Sequence, residues 1–427
     1  MTFRPTMTAL AAAALVSALT PALAQAQANA ASGVDELREE VRKLRSEVET
    51  LKKEKSAAGV GDRVDQLELK SKDSVVAGDI PGSFRLPGSE TSVRFYGHAE
   101  AHWIQDLGKP GQSDYFTDLM TQPLASDASV RKGRSKLTAS TSRFGFESAT
   151  PTGVGAFTTK VEADFYSYGD STRNRLRLRH AYGEYAGWLV GQTWSTFMDL
   201  DNLPETVDFN GPIGSPFSRR SMLRYTFADV KGGYKLAAAL EDPENGARVP
   251  NLVLRADKSF DWGALNLRLL SHEKRAGDEA RRGYGVGVGG SFKVNESNLL
   301  MAQFARVNGD YDMMYGSTGF MVNGAGQILF DKNDGLVLGW AHVYSPALRA
   351  NLAVGLNRSR ADAAYVAESQ AYGWEQSKRL TQVHVGAIYS PIKNVELGAE
   401  YIHGLRKTFA GEEGKLSRFD LMGRYMF

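Results

Sequence analysis

The sequence predicts an all-β transmembrane barrel of 16 antiparallel strands behind an N-terminal α-helical coiled coil. Three observations carry this. Segments of about ten residues with alternating polarity recur from Ser92 to Phe427, the connections between them alternate short and long, and a heptad seam is confined to the region before them.

The N-terminus comes first. "MTALAAAALVSALTPALAQA" follows Arg4 and contains Ala22-Leu23-Ala24. A basic start, an apolar stretch and an A-x-A-like end describe a secretory signal peptide over residues 1–24, with cleavage after Ala24. The chain of 427 residues has no cysteine, a formal net charge of +2 and a mean hydropathy of −0.33. Near-neutral charge on an exported chain argues against nucleic acid as a partner. No apolar run reaches the roughly 18 residues of a spanning helix.

Residues 33–69 follow. In "VDELREEVRKLRSEVETLKKEK", Val34, Leu37, Val41, Leu44, Val48 and Leu51 are spaced 3-4-3-4-3, a heptad seam with valine at a and leucine at d. That pairing favours two strands. Arg63 to Glu68, "RVDQLE", instead resembles the signature of trimeric coiled coils, so the two signals disagree on chain number. The rest of the chain favours three. Residues 70–91 are rich in Gly, Ser and Pro and read as a linker.

From residue 92 to 427 the period is two. "SVRFYGHAEAHWIQ" sets Val93, Phe95, Ala99, Ala101 and Trp103 against Arg94, His98, Glu100 and His102. Phe157, Val161, Ala163 and Phe165 oppose Lys160, Glu162 and Asp164; Leu265, Leu267 and Leu269 oppose Asn266, Arg268 and His272; Val395, Leu397, Ala399 and Tyr401 oppose Glu396 and Glu400. Short links such as "AG", "DWG" and "VNES" alternate with long polar ones at 107–133, 197–218, 309–331, 361–378 and 407–416. Short turns at one end and long loops at the other describe an up-and-down membrane barrel, and an even strand number lets the last strand close on the first.

The stretch "RLRLRH" tests this reading. As a strand it puts Arg175, Arg177 and Arg179 on one side and Leu176 and Leu178 on the other. In a soluble sheet that is an ordinary half-buried strand. In lipid, an arginine facing the midplane costs ~2–4 kcal/mol. Three would cost ~6–12 kcal/mol, comparable to a domain's net stability. The leucines therefore face lipid and the arginines a wet interior. A sandwich or propeller would need a large dry core, and the polar face carries too many charges for one. The last segment, "LSRFDLMGRYMF", alternates Phe419, Leu421, Tyr425 and Phe427 and resembles the C-terminal strand that the outer-membrane assembly machinery recognises.

Together with the coiled coil and "GSFRLPGSETSVRFYG", the segments "RLRHAYGEYAGWLVGQTWSTFMD" and "NLPETVDFNGPIGSPFSRRSMLRYTF" resemble the DcaP-like trimeric outer-membrane porins. "GQTWSTFMD" and "SPFSRR" are the most specific parts. The resemblance implies a sixteen-stranded barrel, a homotrimer with a periplasmic trimeric coiled coil, and uptake of small anions, dicarboxylates among them.

The residues point the same way. Loop 197–218 carries Asp199, Asp201, Glu205 and Asp208 and is stiffened by Pro204, Pro212 and Pro216. Folded inward, it would narrow the lumen as a constriction loop. Arg175, Arg177 and Arg179 precede it and Arg219, Arg220 and Arg224 follow it. Fixed cations across from fixed anions make a transverse field that favours one sign of charge, and arginine grips carboxylates in bidentate geometry. The same arginines could instead balance lumenal acids or bind lipopolysaccharide phosphates at the outer rim. No HExxH, GxSxG or Walker-type loop appears, and no cofactor or metal site is expected; the shared face of His98, Glu100 and His102 reads as pore wall before it reads as a metal or acid–base site. "GYGVGVGGSF" is strand-like and suggests close packing at a subunit contact. A different class of function also fits: an outer-membrane anchor that grips cell wall through its coiled coil.

Overall fold

The computed structural model describes residues 39–50, 76–166, 174–230, 232–243 and 246–427. The signal peptide, "RVDQLE" and Val34, Leu37 and Leu51 of the heptad seam lie outside them. Residues 39–50 are helical and expose Val41, Leu44 and Val48 in the single chain. Residues 1–74 and 75–427 form separate compact units.

Sixteen antiparallel strands close the second unit into a barrel. They are β1 (Ser92–Asp106), β2 (Arg134–Thr138 and Arg143–Thr152, both paired to β1), β3 (Gly155–Asp164), β4 (Arg177–Tyr185), β5 (Trp188–Trp194), β6 (Arg219–Val230), β7 (Tyr234–Glu241) and β8 (Asn251–Phe260). The second half comprises β9 (Gly263–Ala276), β10 (Glu279–Asn295), β11 (Asn298–Asn308), β12 (Lys332–Ser345), β13 (Leu348–Ser359), β14 (Ser377–Tyr389), β15 (Val395–Thr408) and β16 (Glu413–Met426). Closure runs from Arg418↔Asp106 to Met426↔His98. The barrel sheet is thereby left without an edge, which the bilayer demands.

Alternation holds around the ring. Leu265, Leu267 and Leu269 are 48%, 45% and 42% exposed, while Arg268 and His272 between and beyond them are fully buried. A water-soluble sheet would invert that pattern. One of several two-residue links joins β4 to β5 through Ala186 and Gly187, both at positive φ, as a hairpin turn matched to strand twist requires. A Cβ on Gly187 would meet the Thr226 carbonyl at 2.8 Å, so this position excludes larger residues.

One strand departs from simple alternation. Between β3 and β4, Glu162 pairs with His180 but Ala163 pairs with Leu178, which leaves Arg179 as a bulge. A bulge re-aims the chain. Both Arg179 and His180 consequently point inward and are buried, while Leu176 and Leu178 remain outside at 63% and 48% exposure.

The barrel is not hollow. Segments 107–133, 195–218 and 309–331 pack against its inner wall, and the apolar clusters lie between them and the strands. Phe197, Met313 and Met314 pack on Val253, Leu270 and Val307; Leu119 and Ile213 pack on Leu380, Ile402 and Leu416; Val207 packs on Ile388 and Met422. Glycine makes room for them. A Cβ on Gly285 would meet Phe197 at 2.9 Å, on Gly339 Pro204 at 2.7 Å, on Gly355 the Ile213 carbonyl at 2.3 Å, and on Gly398 Val207 at 2.9 Å. Gly283, Gly285, Gly287 and Gly289 of "GYGVGVGGSF" thus face the interior, and Tyr284, Val286, Val288 and Gly290, the last opposite Leu265, face outward. Segment 361–378, expected as loop, contains helix α1 (Ala363–Ala371), N-capped by Asp362, whose side chain accepts from the Tyr365 amide.

Candidate functional site

The inner face of β2–β6 carries an arc of arginines. Arg177 donates from Nε and Nη2 to Asp164 at 3.0 and 2.6 Å. Arg179 reaches Glu162 at 2.5 Å and Asp164 at 2.7 Å, and Arg143 lies 3.5 Å from Glu162. Arg219 has no carboxylate partner among the described residues. Its guanidinium lies 3.5 Å from the centre of the Trp194 ring, as that of Arg177 lies 3.7 Å from Tyr166. Three guanidiniums therefore share two carboxylates, Glu162 and Asp164, and the fourth, Arg219, rests on Trp194. A cavity of about 320 Å³ opens on this arc and is bounded opposite by Glu205, Asp208 and Phe209, with Arg424 at its edge.

Segment 195–218 crosses to the far wall and is tied there. Arg349 on β13 donates to both Glu205 oxygens, at 2.7 and 2.8 Å. Burial alone would raise the Glu205 carboxyl, but the Arg349 fork outweighs it and holds the group below its usual range. The Asp208 carboxylate accepts from the Thr117 amide and hydroxyl and from the Asn210 and Gly211 amides. Its pKa is nevertheless raised, chiefly by burial, with Glu400 adding to it. Glu400 in turn accepts from the backbone amides of Val207 and Asp208 at 3.1 and 3.0 Å. The acidic residues thus serve the segment's placement as much as its charge.

From Glu205 a chain of alternating charges runs along the wall to the barrel seam. Arg349 also holds Glu396 at 2.7 Å, Glu396 holds Arg424 at 3.0 Å, and Arg424 donates to Glu100. The His102 ring then bridges Glu100 at 3.0 Å and Asp420 at 2.8 Å. His98, Glu100 and His102 do share the inner face, yet among the described residues no group of His, Asp or Glu is arranged to hold a metal ion.

The residues singled out from the sequence separate into distinct places. Arg177, Arg179, Arg219, Glu205 and Asp208 line one cavity. Arg224 and Asp201 line a second, of about 540 Å³, toward the short-turn end, together with Lys235, Arg255 and Asp257. Asp199 is buried, accepting from Asn202 and Asn266, with Arg268 at 3.7 Å. Arg220 is buried against Asp312 at 2.8 Å. Arg175 precedes β4 and is exposed, because β4 begins only at Arg177. Sequence reading missed Arg143, Arg349 and Arg424. The alternation Arg143-Phe144-Gly145-Phe146 could have marked the first, and Asp420-Leu421-Met422-Gly423-Arg424 the last. Arg349 carries no such signal, since only its ion pair with the segment gives it weight.

Comparison with known proteins agrees with this architecture. The DcaP outer membrane channel of Acinetobacter baumannii matches at a TM-score of 0.72 and 28% identity, over 82% of this chain and all of that one. An anion-selective porin from Comamonas acidovorans matches at 0.54 and 14%, over 79% of this chain and 100% of that one. Outer-membrane expressed OmpT of Vibrio cholerae matches at 0.53 and 13%, over 83% and 100%. At those identities the last two speak for the barrel fold alone. A search of curated proteins returns no match. The family model for DcaP outer membrane proteins spans residues 19–427, so this chain, with its closed sixteen-stranded barrel and inward-packed segment 195–218, belongs to the DcaP outer membrane protein family.

Proposed function

We propose that the chain is an outer-membrane channel that preferentially passes small anions, dicarboxylates among them, through a constriction between the arginine arc and segment 195–218. The supporting observation is the excess of guanidiniums over carboxylates in the arc, with Arg219 unpaired among the described residues. Guanidinium stays charged at every physiological pH. Within a Debye length of about 8 Å its field is little screened, so the arc outweighs the chain's near-neutral total. A carboxylate leaving water can exchange hydration for bidentate contacts, and the ring faces under Arg177 and Arg219 hold those guanidiniums in place. Arg175, Arg220 and Arg224 act outside the narrowest part.

In this reading three chains assemble as a homotrimer in the outer membrane among lipopolysaccharide, residues 1–24 are removed on export, and the coiled coil 33–69 lies in the periplasm. The deciding experiment is the reversal potential of single channels in a potassium chloride gradient, followed by addition of succinate. Chloride preference that weakens in Arg219→Gln supports the proposal. A wild-type channel without anion preference sinks it.

A further inference from the structure

The outer face of β11–β15 carries a feature that the pore does not use. Arg306, Asp334, Arg358, Arg379 and Lys407 are consecutive cross-strand partners, one on each strand. They occupy the outward register, between buried neighbours at Val307, Asn333, Asn357, Leu380 and Thr408. The next outward row toward the short turns is Phe304, Leu336, Leu356, Thr381 and Leu405, also direct partners. An apolar band therefore ends at a row of charge.

Height places the row at the outer leaflet. On β14, Arg379 and the exposed Tyr389 at the short-turn end are ten residues apart, about 33 Å along the strand. At a tilt near 40° that is about 25 Å along the membrane normal, the height of the apolar band of such barrels. Short turns face the periplasm in this architecture, so the row lies at the extracellular boundary.

The charges are not balanced within the protein. Arg306 donates to Asp334 at 2.6 and 3.1 Å, and Arg360, one outward position higher, shares the same carboxylate at 3.4 Å. Lys407 has Glu413 at 3.4 Å. Arg358 and Arg379 are exposed, lie directly opposite each other, and make no ion pair among the described residues, since Asp334 on the other side of Arg358 is held by Arg306 and Arg360. Like charges facing across a strand pair are destabilising, so this arrangement calls for an anion from outside the chain. The ligand must be anionic, must offer several oxygens to guanidinium forks, and must sit where an apolar surface begins.

We infer that β11–β15 bind the phosphoryl groups of lipopolysaccharide through Arg358 and Arg379, flanked by Arg306, Arg360 and Lys407, with the acyl chains lying on the apolar rows below. This rests on the outer-membrane placement given above and is independent of which solute crosses the pore.

The test is the lipopolysaccharide retained per protein when the full-length chain is extracted from outer membranes and exchanged into mild detergent. Wild type is expected to keep it, and the Arg358→Gln/Arg379→Gln double variant to lose at least fivefold. Lys293→Gln, an exposed cation at the short-turn end, should keep the wild-type amount. Heat-dependent gel mobility reports whether the double variant is a folded barrel, and Arg379→Gln alone, expected to lose about half, serves if it is not. Equal retention by wild type and variants overturns the inference. So does equal retention of phosphatidylglycerol from mixed vesicles, which would assign the row to headgroups in general. The reversal potential of the double variant, read in the same preparation, should stay at the wild-type value, so a failed anion channel and a failed lipopolysaccharide site give different results.

Discussion

Two stretches of one inner wall behave in opposite ways. β10 and β12–β15 present glycine at inward positions and are covered by segments 195–218 and 309–331, whereas β2, β4 and β6 present arginine and border open space. Both follow the same period of two. The residue at the inward position decides whether a wall is lined by protein or by water. Glycine lets another backbone approach closely, while a guanidinium with an unmatched charge stays solvated and keeps apolar chain away.

The largest expected effect comes from filling the glycine wall. Gly355→Val puts new atoms where the Ile213 carbonyl sits, and Gly285→Leu does so against Phe197. Overpacking of this kind costs ~1–3 kcal/mol and should displace segment 195–218. Single-channel conductance should then rise severalfold and anion preference fall. Wild-type conductance in a folded Gly355→Val barrel would show that the segment does not limit the pore.

Next is the arginine wall. Arg177→Gln/Arg179→Gln leaves two guanidiniums against two carboxylates, so chloride preference should disappear at low salt while neutral sugars permeate as before. Arg219→Gln removes a cation that leaves no carboxylate behind, and should lower the preference by about half without loss of thermal stability. If the two variants shift the reversal potential equally, the pairing with Glu162 and Asp164 does not attenuate the field.

A smaller effect is expected at the tie between the walls. The Glu205 carboxyl is held below its ordinary value near 4.3. A depressed group contributes while it is ionised and loses the contact only as pH falls through its own lowered value. Current noise should therefore match at pH 7 and pH 5 and grow only below about pH 4. Glu205→Gln should show that noise already at pH 7; a quiet variant channel would mean that other contacts hold the segment. Smallest of all, deletion of residues 33–69 should leave conductance unchanged, and loss of cell-wall attachment in that variant would favour the anchoring reading.

Much of this was legible in the residue pattern. Leu265, Leu267 and Leu269 against Arg268 and His272 specified an outside and an inside, since side chains on a strand point alternately and lipid penalises charge. The strand "RLRLRH" held its leucines outside, yet its arginines parted: Arg175 precedes the strand and Arg179 sits on a bulge, an insertion that periodicity does not reveal. The acidic segment was identified, and two of its acids also tie it down. Asp208 holds Thr117, Asn210 and Gly211, and Glu205 holds Arg349 across the barrel.

Strand number, membrane face and the sign of the arc's charge were thus determined by local chemistry, because each depends on neighbours two residues apart. Which wall is open was decided only by tertiary structure. Pairings such as Arg349 with Glu205 and Gly355 with Ile213 join positions more than 140 residues apart, and no local period records them. Ring closure brings them together, and the space left between them is the channel.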